Sequence, residues 1–155
     1  VSEDEALRIA AEYRDLFART VTAADIPLFP GTAALLDALA AAGKRIAVAT
    51  SRLEASTAEL VRDLGVTHFE AVCGRVPGVR QTKAESIAAA LAALDVRPED
   101  AVMVGDRMYD VLGAAELGIP CIGIYSGAAA PGEHEEAGAA AVCSDMFDVA
   151  RVLGV

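Results

Sequence analysis

The sequence predicts an α/β fold in which helices cover a mostly parallel β-sheet, and two observations support this prediction. From residue 45 onward, short runs rich in Val, Ile and Ala alternate with helical segments, an order typical of parallel strands joined by right-handed crossovers. Hydrophobic residues make up 54% of the 155 residues but aromatic residues only 5%, so the core consists of small and branched aliphatic side chains. A chain of this length is expected to form one domain with a single sizeable core.

The first half of the chain begins with two predicted helices. Residues 2–22 carry apolar side chains near helical spacing, and Ser2 stands before acidic residues, which predicts a helix capped by Ser2. A turn-rich segment with two prolines follows. A second helix is then predicted over residues 33–42, with Thr32 as its N-cap.

Strands and helices then alternate to the end of the chain. The predicted strands are residues 45–49, 69–73, 101–104 and 120–125, and the predicted helices are residues 54–64, 83–94, 111–117 and 146–153. Thr82 is the expected N-cap of the helix over residues 83–94, and Gly65 and Gly118 end two of the others.

Charge and cysteine content narrow the expected partners. The net charge of −10 argues against nucleic acid or an anionic membrane as a partner, and an anionic substrate would need a local cluster of cations. The three cysteines, Cys73, Cys121 and Cys143, match no disulfide framework or zinc spacing, which favours buried reduced thiols in a cytoplasmic protein. No apolar run reaches membrane-spanning length.

The stretch 101–110 carries the clearest chemical signal. An apolar run stops at Gly105 and is followed at once by Asp106, which places this carboxylate at the carboxyl end of a buried strand. Asp110 stands four residues later, so both carboxylates share one face if a helix begins here. Two acids at this edge of a parallel sheet suit a hard cation such as Mg²⁺. The alternative is that Asp106 is a helix N-cap and Asp110 an exposed helix charge.

Two further positions lie at predicted carboxyl edges. Thr50 and Ser51 follow a buried strand, where a hydroxyl beside free helix N–H groups can hold a phosphoryl oxygen. Lys83 opens a helix, and its ammonium can neutralise the same group. Taken singly, each has another interpretation, because the hydroxyl residues can be N-caps and the lysine can be solvated.

Two arginines and two histidines outside these motifs are further candidates for binding. Arg75 and Arg80 lie in or beside the loop before Lys83, where they can attract an anionic substrate or be exposed loop charges. His68 and His134 lack a metal-ligand partner at useful spacing, so both are expected to be structural or solvent-facing.

The ordered set of these motifs resembles the haloacid dehalogenase superfamily, and specifically its phosphoglycolate-phosphatase-like branch. Val48-Ala49-Thr50-Ser51 resembles the second motif of that family, Lys83 the lysine of the third, and Gly105-Asp106-Arg107-Met108-Tyr109-Asp110 the fourth, Gly-Asp-x-x-x-Asp. The resemblance runs from about Leu28 to the C-terminus. It implies a Rossmann-like three-layer sandwich over residues 25–155, with residues 1–24 as the last helix of a helical cap.

The resemblance also implies a function. A Mg²⁺-dependent phosphohydrolase acting through an aspartyl-phosphate intermediate is expected, with a small phosphorylated metabolite, a phosphate monoester, as substrate. Thr50, with Ser51 nearby, and Lys83 would bind the phosphoryl group, with Arg80 as a further substrate contact. Asp106 would bind Mg²⁺, and Asp110 would support the metal or hold Lys83.

One motif of the family is absent from the sequence. The Asp-x-Asp that supplies the nucleophile occurs nowhere in the 155 residues. In the family it lies ahead of the cap, on a strand between the counterparts of residues 45–49 and 101–104. Buried unpaired backbone groups at those two edges would cost about 1–3 kcal/mol each. We therefore expect the sequence to be a fragment of a longer phosphatase, inactive alone. A non-catalytic phosphate- or Mg²⁺-binding module remains an alternative, as does a phosphomutase or dehalogenase of the same superfamily.

Overall fold

The computed structural model describes residues 2–126 and 129–155. All pairings between its five strands are parallel, and helices lie against both faces of the strands. The predicted α/β class with a mostly parallel sheet is therefore confirmed. Gly127 and Ala128, in the loop predicted after the fourth strand, lie outside the described residues.

The helices and strands follow one another in the predicted alternation. The helices are α1 (Glu3–Thr20), α2 (Thr32–Ala41), α3 (Glu54–Asp63), α4 (Lys83–Leu94), α5 (Met108–Ala115), α6 (Glu133–Glu136) and α7 (Met146–Leu153). The strands are β1 (Ala47–Leu53), β2 (Ala71–Arg75), β3 (Met103–Gly105), β4 (Cys121–Ile124) and β5 (Ala141–Cys143). Short 3-10 turns lie at Ala23–Asp25 and Pro98–Asp100.

Helices with a strong local capping signal lie where the sequence predicted them. The hydroxyl of Ser2 accepts a hydrogen bond from the backbone N–H of Glu5 at 3.2 Å, which confirms the start of α1. The N-cap predicted at Thr32 is wrong. Gly31 takes that position with φ 85°, and Thr32 is the first residue of α2. Glycine is favoured there because a side chain is strained at positive φ, and a Cβ would also lie 3.2 Å from the Phe147 ring.

Strand boundaries differ more from the prediction. Pairing between β1 and β2 begins at Ala47 and Ala71, and β1 continues beyond Ala49 to Leu53 through an irregularity in register. Parallel strands pair through their backbones, so polar side chains at a strand end do not stop the strand. Helix α6 and strand β5 were not predicted, because four and three residues are too short to show a hydrophobic period.

The strands form two separate parallel sheets, β1–β2 and β3–β4–β5. Helix α4 packs on β1 and β2 and also on α5, which covers β3 and β4, so the sheets lie side by side under one helical layer. Within the described residues, β1 pairs only with β2, and β3 pairs only with β4. The edges of β1 and β3 that face each other therefore have no strand partner there. That a further strand belongs between them stays a prediction.

Two hydrophobic clusters flank the strands. Leu35 of α2 and Val149 of α7 pack with Ile122 and Ile124 of β4 on one face. Ile87 of α4 packs with α5 and Cys121 on the other face, and partly buried Ala49 of β1 and Met103 of β3 join that cluster. Because both sheets contribute to this second cluster, it holds them together.

The three cysteines are buried and free of disulfide bonds, as predicted. Burial raises the pKa of all three thiols, and that of Cys121 to about 12. A thiol with so high a pKa is a poor nucleophile, so these side chains contribute packing. Among the helices described, none is long and apolar enough to cross a membrane.

Helix α1 leaves much of its apolar surface exposed. Leu7 is 60% exposed and Leu16 56%. Large apolar side chains exposed along one helix are typical of a surface that packs against another element. The assignment of this segment to a helical cap stays a prediction.

The capping box at the start of α4 yields a stability prediction. The Thr82 hydroxyl accepts from the Glu85 N–H at 3.1 Å, and the Glu85 carboxylate accepts from the Thr82 N–H at 2.8 Å. Thr82→Ala removes one half of this pair and is expected to lower the free energy of unfolding by about 1 kcal/mol, measured by urea denaturation. Thr67→Ala, at an exposed position, is the control. An equal effect of both variants would contradict the prediction.

Candidate functional site

Lys83 connects the two sheets at their carboxyl edge. The first turn of α4 positions it, and its Nζ lies 2.6 Å from the carbonyl oxygen of Ala49 in β1 and 2.5 Å from Oδ1 of Asp110. The Lys83 side chain is 12% exposed and that of Asp110 10%. The alternative of a solvated lysine is therefore wrong, because the ammonium is partly desolvated and aimed at the junction between the sheets.

Asp110 is buried in the first turn of α5. Its second carboxylate oxygen accepts from the N–H of Arg107 at 3.0 Å, which orients the carboxylate toward Lys83. The Gly105 backbone lies so close to Asp110 that a Cβ at residue 105 would overlap the carboxylate. Asp110 is thus not the exposed helix charge of the alternative interpretation, and the glycine before Asp106 is a steric requirement.

Asp106 differs from Asp110 in having no partner within the described residues. The residue is half-buried, and no hydrogen bond or ion pair of its carboxylate occurs in the part of the chain that the structure describes. It is not the N-cap of α5, since Arg107 holds that position. Its free carboxylate and Asp110 are the donor types that Mg²⁺ prefers. No group of three His, Cys, Asp or Glu side chains suited to a metal occurs among residues 2–126 and 129–155.

Thr50 and Ser51 directly follow the carbonyl that Lys83 holds. Both lie inside β1, where Thr50 is half-buried and Ser51 exposed. The Thr50 hydroxyl accepts from the N–H of Arg52 at 3.2 Å, and its own proton is free to be donated to a ligand. The structure thus brings Thr50 and Ser51 to the same strand end as Lys83 and Asp110. Their role in binding phosphate stays a prediction.

Arg80 is held in place by the ends of β1 and β2. Its Nη1 lies 2.5 Å from Oε2 of Glu54 and 2.8 Å from the carbonyl oxygen of Gly74. The Gly74 N–H and the Arg80 guanidinium lower the pKa of Glu54, so this carboxylate stays ionised and balances the arginine charge. Arg80 is therefore not an exposed loop charge. Its predicted contact with substrate remains untested.

Glu133 is a residue that the sequence patterns did not single out. Its Oε1 accepts from the backbone N–H of Met108 and from Arg107 Nε, both at 2.8 Å, and Oε2 accepts from the N–H of Ala130 at 3.1 Å. Glu133 therefore holds the segment between Asp106 and α5. The contact joins residues 25 apart in the chain, so no local sequence pattern signals it.

The two histidines lie away from these residues. His134 is completely buried, with Nε2 3.2 Å from the carbonyl oxygen of Ile124 and its ring 4.8 Å from that of Tyr125. His68 Nε2 lies 2.8 Å from an Asp37 carboxylate oxygen. Neither histidine hydrogen-bonds to Lys83. The contacts of His134 support packing in the interior, and the contact of His68 joins it to the surface of α2.

Comparison with known proteins yields one family and several relatives. The family model of haloacid dehalogenase-like hydrolases matches residues 1–118. A 5′-nucleotidase from Pseudomonas aeruginosa is 32% identical over 153 residues, which cover 97% of this chain and 69% of that protein. The tyrosine-protein kinase PtkA of Mycobacterium tuberculosis is 45% identical over 97 residues, 61% of this chain but only 33% of the kinase. Phosphoglycolate phosphatases are also among the matched proteins.

A solved structure extends the likeness to the whole fold. The crystal structure of a predicted phosphatase from Clostridium acetobutylicum superposes with a TM-score of 0.89 at 28% identity, covering all of this chain and 73% of that one. The chain thus spans about a third of the kinase and about three quarters of this phosphatase.

The contacts of Glu133 yield a prediction about acid stability. The Arg107 side chain and the N–H groups of Met108 and Ala130 lower its pKa from 4.5 to about 2. Between these two pH values the folded chain binds fewer protons than the unfolded chain, so the stabilisation by Glu133 is present above pH 4.5 and is lost as pH falls toward 2. Glu133→Gln is expected to reduce the loss of stability on acidification, measured by urea denaturation at several pH values.

The control for this measurement is Glu116→Gln, at an exposed position of the same region. Wild type and Glu116→Gln should lose stability in parallel as the pH falls. A Glu133→Gln variant with the same acid dependence as wild type would contradict the assigned contacts.

Proposed function

Because the chain belongs to the haloacid dehalogenase-like hydrolases, we propose that it is the core of a Mg²⁺-dependent phosphatase that hydrolyses small phosphate monoesters through an aspartyl-phosphate intermediate. The observation that carries this proposal is the position of Lys83. Its ammonium lies at the carboxyl edge between the two sheets, 2.6 Å from the Ala49 carbonyl oxygen and 2.5 Å from Asp110.

A cation in this place suits phosphoryl transfer. The transferred group carries negative charge that spreads over its oxygens in the transition state, and a positioned ammonium offsets that charge. Lys83 is shielded from water, so its electrostatic interactions are stronger than those of an exposed lysine. The fixed Asp110 keeps the ammonium in position before substrate binds, which avoids a reorganisation cost during the reaction.

Hydroxyl and backbone groups of β1 complete the proposed phosphoryl site. Thr50 has a hydroxyl proton that it can donate to a phosphoryl oxygen, and Ser51 lies next to it at an exposed position. Both lie in the second half of β1, which is followed directly by α3, and free N–H groups at a helix N-terminus favour anions. The site therefore offers hydrogen-bond donors to an anion, although the chain as a whole is acidic.

The proposed nucleophile is an aspartate on a further strand between β1 and β3. The facing edges of these strands support the proposal, because their N–H and C=O groups have no strand partner within the described residues. A parallel strand there would end beside Lys83. The carboxylate oxygen of the proposed aspartate would attack phosphorus, while the alcohol leaves with a proton from a general acid. Water would then hydrolyse the acyl phosphate and release inorganic phosphate.

Mg²⁺ fits the residues that follow β3. Asp106 would hold it through its unpartnered carboxylate, and Asp110 lies close enough in sequence to assist while it pairs with Lys83. When bound, the ion would neutralise negative charge shared by substrate and protein carboxylates. One or two carboxylates with water and a substrate phosphate are a usual ligand set for Mg²⁺.

A second candidate function is phosphoryl transfer to an acceptor other than water. The mycobacterial relative named as a tyrosine-protein kinase favours it, since 97 residues of this chain are 45% identical to that protein. The two functions share the phosphoryl-binding groups and differ in the acceptor. Release of free phosphate with no phosphorylated acceptor distinguishes hydrolysis from transfer. A binding module without a nucleophile would do neither.

Lys83 provides the first test, made on the natural full-length protein. Lys83→Ala is expected to lower kcat for hydrolysis of a phosphate monoester by about 100-fold to 1,000-fold, because a positioned charge is lost from the transition state. The measurement is phosphate release under saturating Mg²⁺, with circular dichroism to verify the fold.

The matched control is Lys44→Ala, because Lys44 is the other lysine of the chain and is exposed. Lys44→Ala should retain wild-type turnover. Near-normal turnover of a folded Lys83→Ala variant would rule out the assigned role. A wild-type protein that binds phosphate without turnover would favour the binding module.

Asp106 provides the second test. Asp106→Asn is expected to raise the Mg²⁺ concentration needed for half-maximal activity by roughly tenfold, which corresponds to about 1.4 kcal/mol of binding free energy. The reason is the loss of one negative ligand. Asp100→Asn, at an exposed position, should leave the Mg²⁺ dependence unchanged. The same Mg²⁺ dependence in Asp106→Asn and wild type would contradict this metal assignment.

A further inference from the structure

We infer that the cavity between α1 and α3 binds the nucleoside part of a nucleoside monophosphate, an inference that rests on the proposed phosphatase function. The cavity has a volume of about 700 Å³, within the range of small-molecule sites. Its walls are mostly apolar, with side chains from α1, from the turn that follows α1, from α3 and from the ends of β1 and β2.

The cavity begins next to the proposed phosphoryl site. Arg52 and Leu53 line it, and they continue β1 directly beyond Thr50 and Ser51. Two residues of an extended strand span about 6.6 Å. A substrate with its phosphate at Thr50 would therefore extend its leaving group into this cavity.

Aromatic rings form one wall. Tyr13 and Phe17 of α1 lie on the cavity with their ring centroids 6.0 Å apart, and the Arg52 guanidinium lies 5.1 Å from the centroid of the Phe17 ring. Tyr13 is 63% exposed, so its ring is available to a ligand. A planar base can stack on such rings whatever its identity, since every base has a π-face.

Polar groups on the other walls favour a ligand with both donors and acceptors. Nε of Arg75 is buried and has no hydrogen-bond partner in the described part of the chain, although Arg75 lines the cavity. A buried donor of this kind calls for an acceptor. Glu59 and Asp63 of α3 also line the cavity and can accept hydrogen bonds. Oδ1 of Asp63 forms a long ion pair with Nε of Arg62, at 3.9 Å.

This combination selects against a small anionic leaving group. A carboxylate such as glycolate would meet Glu59 and Asp63 as like charges and would leave most of the apolar wall exposed to water. A nucleoside offers a flat ring for Tyr13 and Phe17, hydroxyl donors for the two carboxylates, and acceptors for Arg75. Nucleoside monophosphates are therefore the substrate class that this surface fits.

The test uses the natural full-length protein and two readouts. Adenosine binding is measured by isothermal titration calorimetry, which needs no turnover, and kcat/KM is measured for adenosine 5′-monophosphate and for 2-phosphoglycolate. Phe17→Leu and Tyr13→Leu remove a ring but keep an apolar side chain. Phe147→Leu, at a 61% exposed position outside the cavity, is the control.

Wild type should bind adenosine saturably and prefer the nucleotide. Phe17→Leu should weaken adenosine binding and lower kcat/KM for the nucleotide by about tenfold, the size expected for loss of one stacking contact. The values for 2-phosphoglycolate and for the control variant should change less than about twofold. Tyr13→Leu should act in the same direction, and because Tyr13 is exposed the change removes no buried side chain on which folding depends.

The outcomes separate this inference from the proposed function. Absence of saturable adenosine binding, or equal losses for both substrates in Phe17→Leu, would overturn the nucleoside assignment. Adenosine binding that depends on Phe17, without hydrolysis of any phosphate monoester, would support the cavity assignment and overturn the phosphatase proposal.

Discussion

The Lys83 ammonium, held between the Ala49 carbonyl and the Asp110 carboxylate, is the interaction on which the arrangement of the site depends. A largely buried charge is tolerated only when it is paired and hydrogen-bonded. Here one partner lies in β1 and the other in α5, which packs on β3 and β4, so the pairing of the ammonium links the two sheets. The capping box of α4 and the contact of Glu133 with the start of α5 hold the two sides of this pair from outside.

The division of the strands into two sheets gives the site its second constraint. The sheets share the helical layer of α4 and α5 and one hydrophobic cluster, yet β1 and β3 do not pair with each other. Unpaired strand edges expose backbone groups that need partners. Thr50 follows the β1 carbonyl that Lys83 contacts, and Asp106 follows the last residue of β3. A strand placed there would therefore contribute to stability and to the site at once.

Helix α1 and the cavity beside it lie beyond the residues proposed to bind the phosphoryl group. Lys83 and Asp110 are shielded from water and hold a defined geometry, whereas Tyr13 and much of the apolar surface of α1 are exposed. This contrast is typical of enzymes in which fixed groups perform a common reaction and a more variable surface selects the substrate. The relatives include a protein named as a 5′-nucleotidase, phosphoglycolate phosphatases and a kinase, a range that agrees with such a division.

The sequence by itself determined the α/β class, the position of α4 and the order of the polar edge residues. These features rest on local signals: the Thr82 cap, the glycine before Asp106 and the alternation of apolar runs with helices. Tertiary structure decided that Lys83 pairs with Asp110, which is one of the two roles that the resemblance implied for this carboxylate, and it alone decided that Glu133 holds the start of α5. Those contacts join residues 27 and 25 positions apart, and no local pattern encodes a partner at that distance. The resemblance implied a gap between the strands that became β1 and β3, and the packing of α4 and α5 decided how the two sides of that gap are held together, since strand order depends on which helices cover which strands.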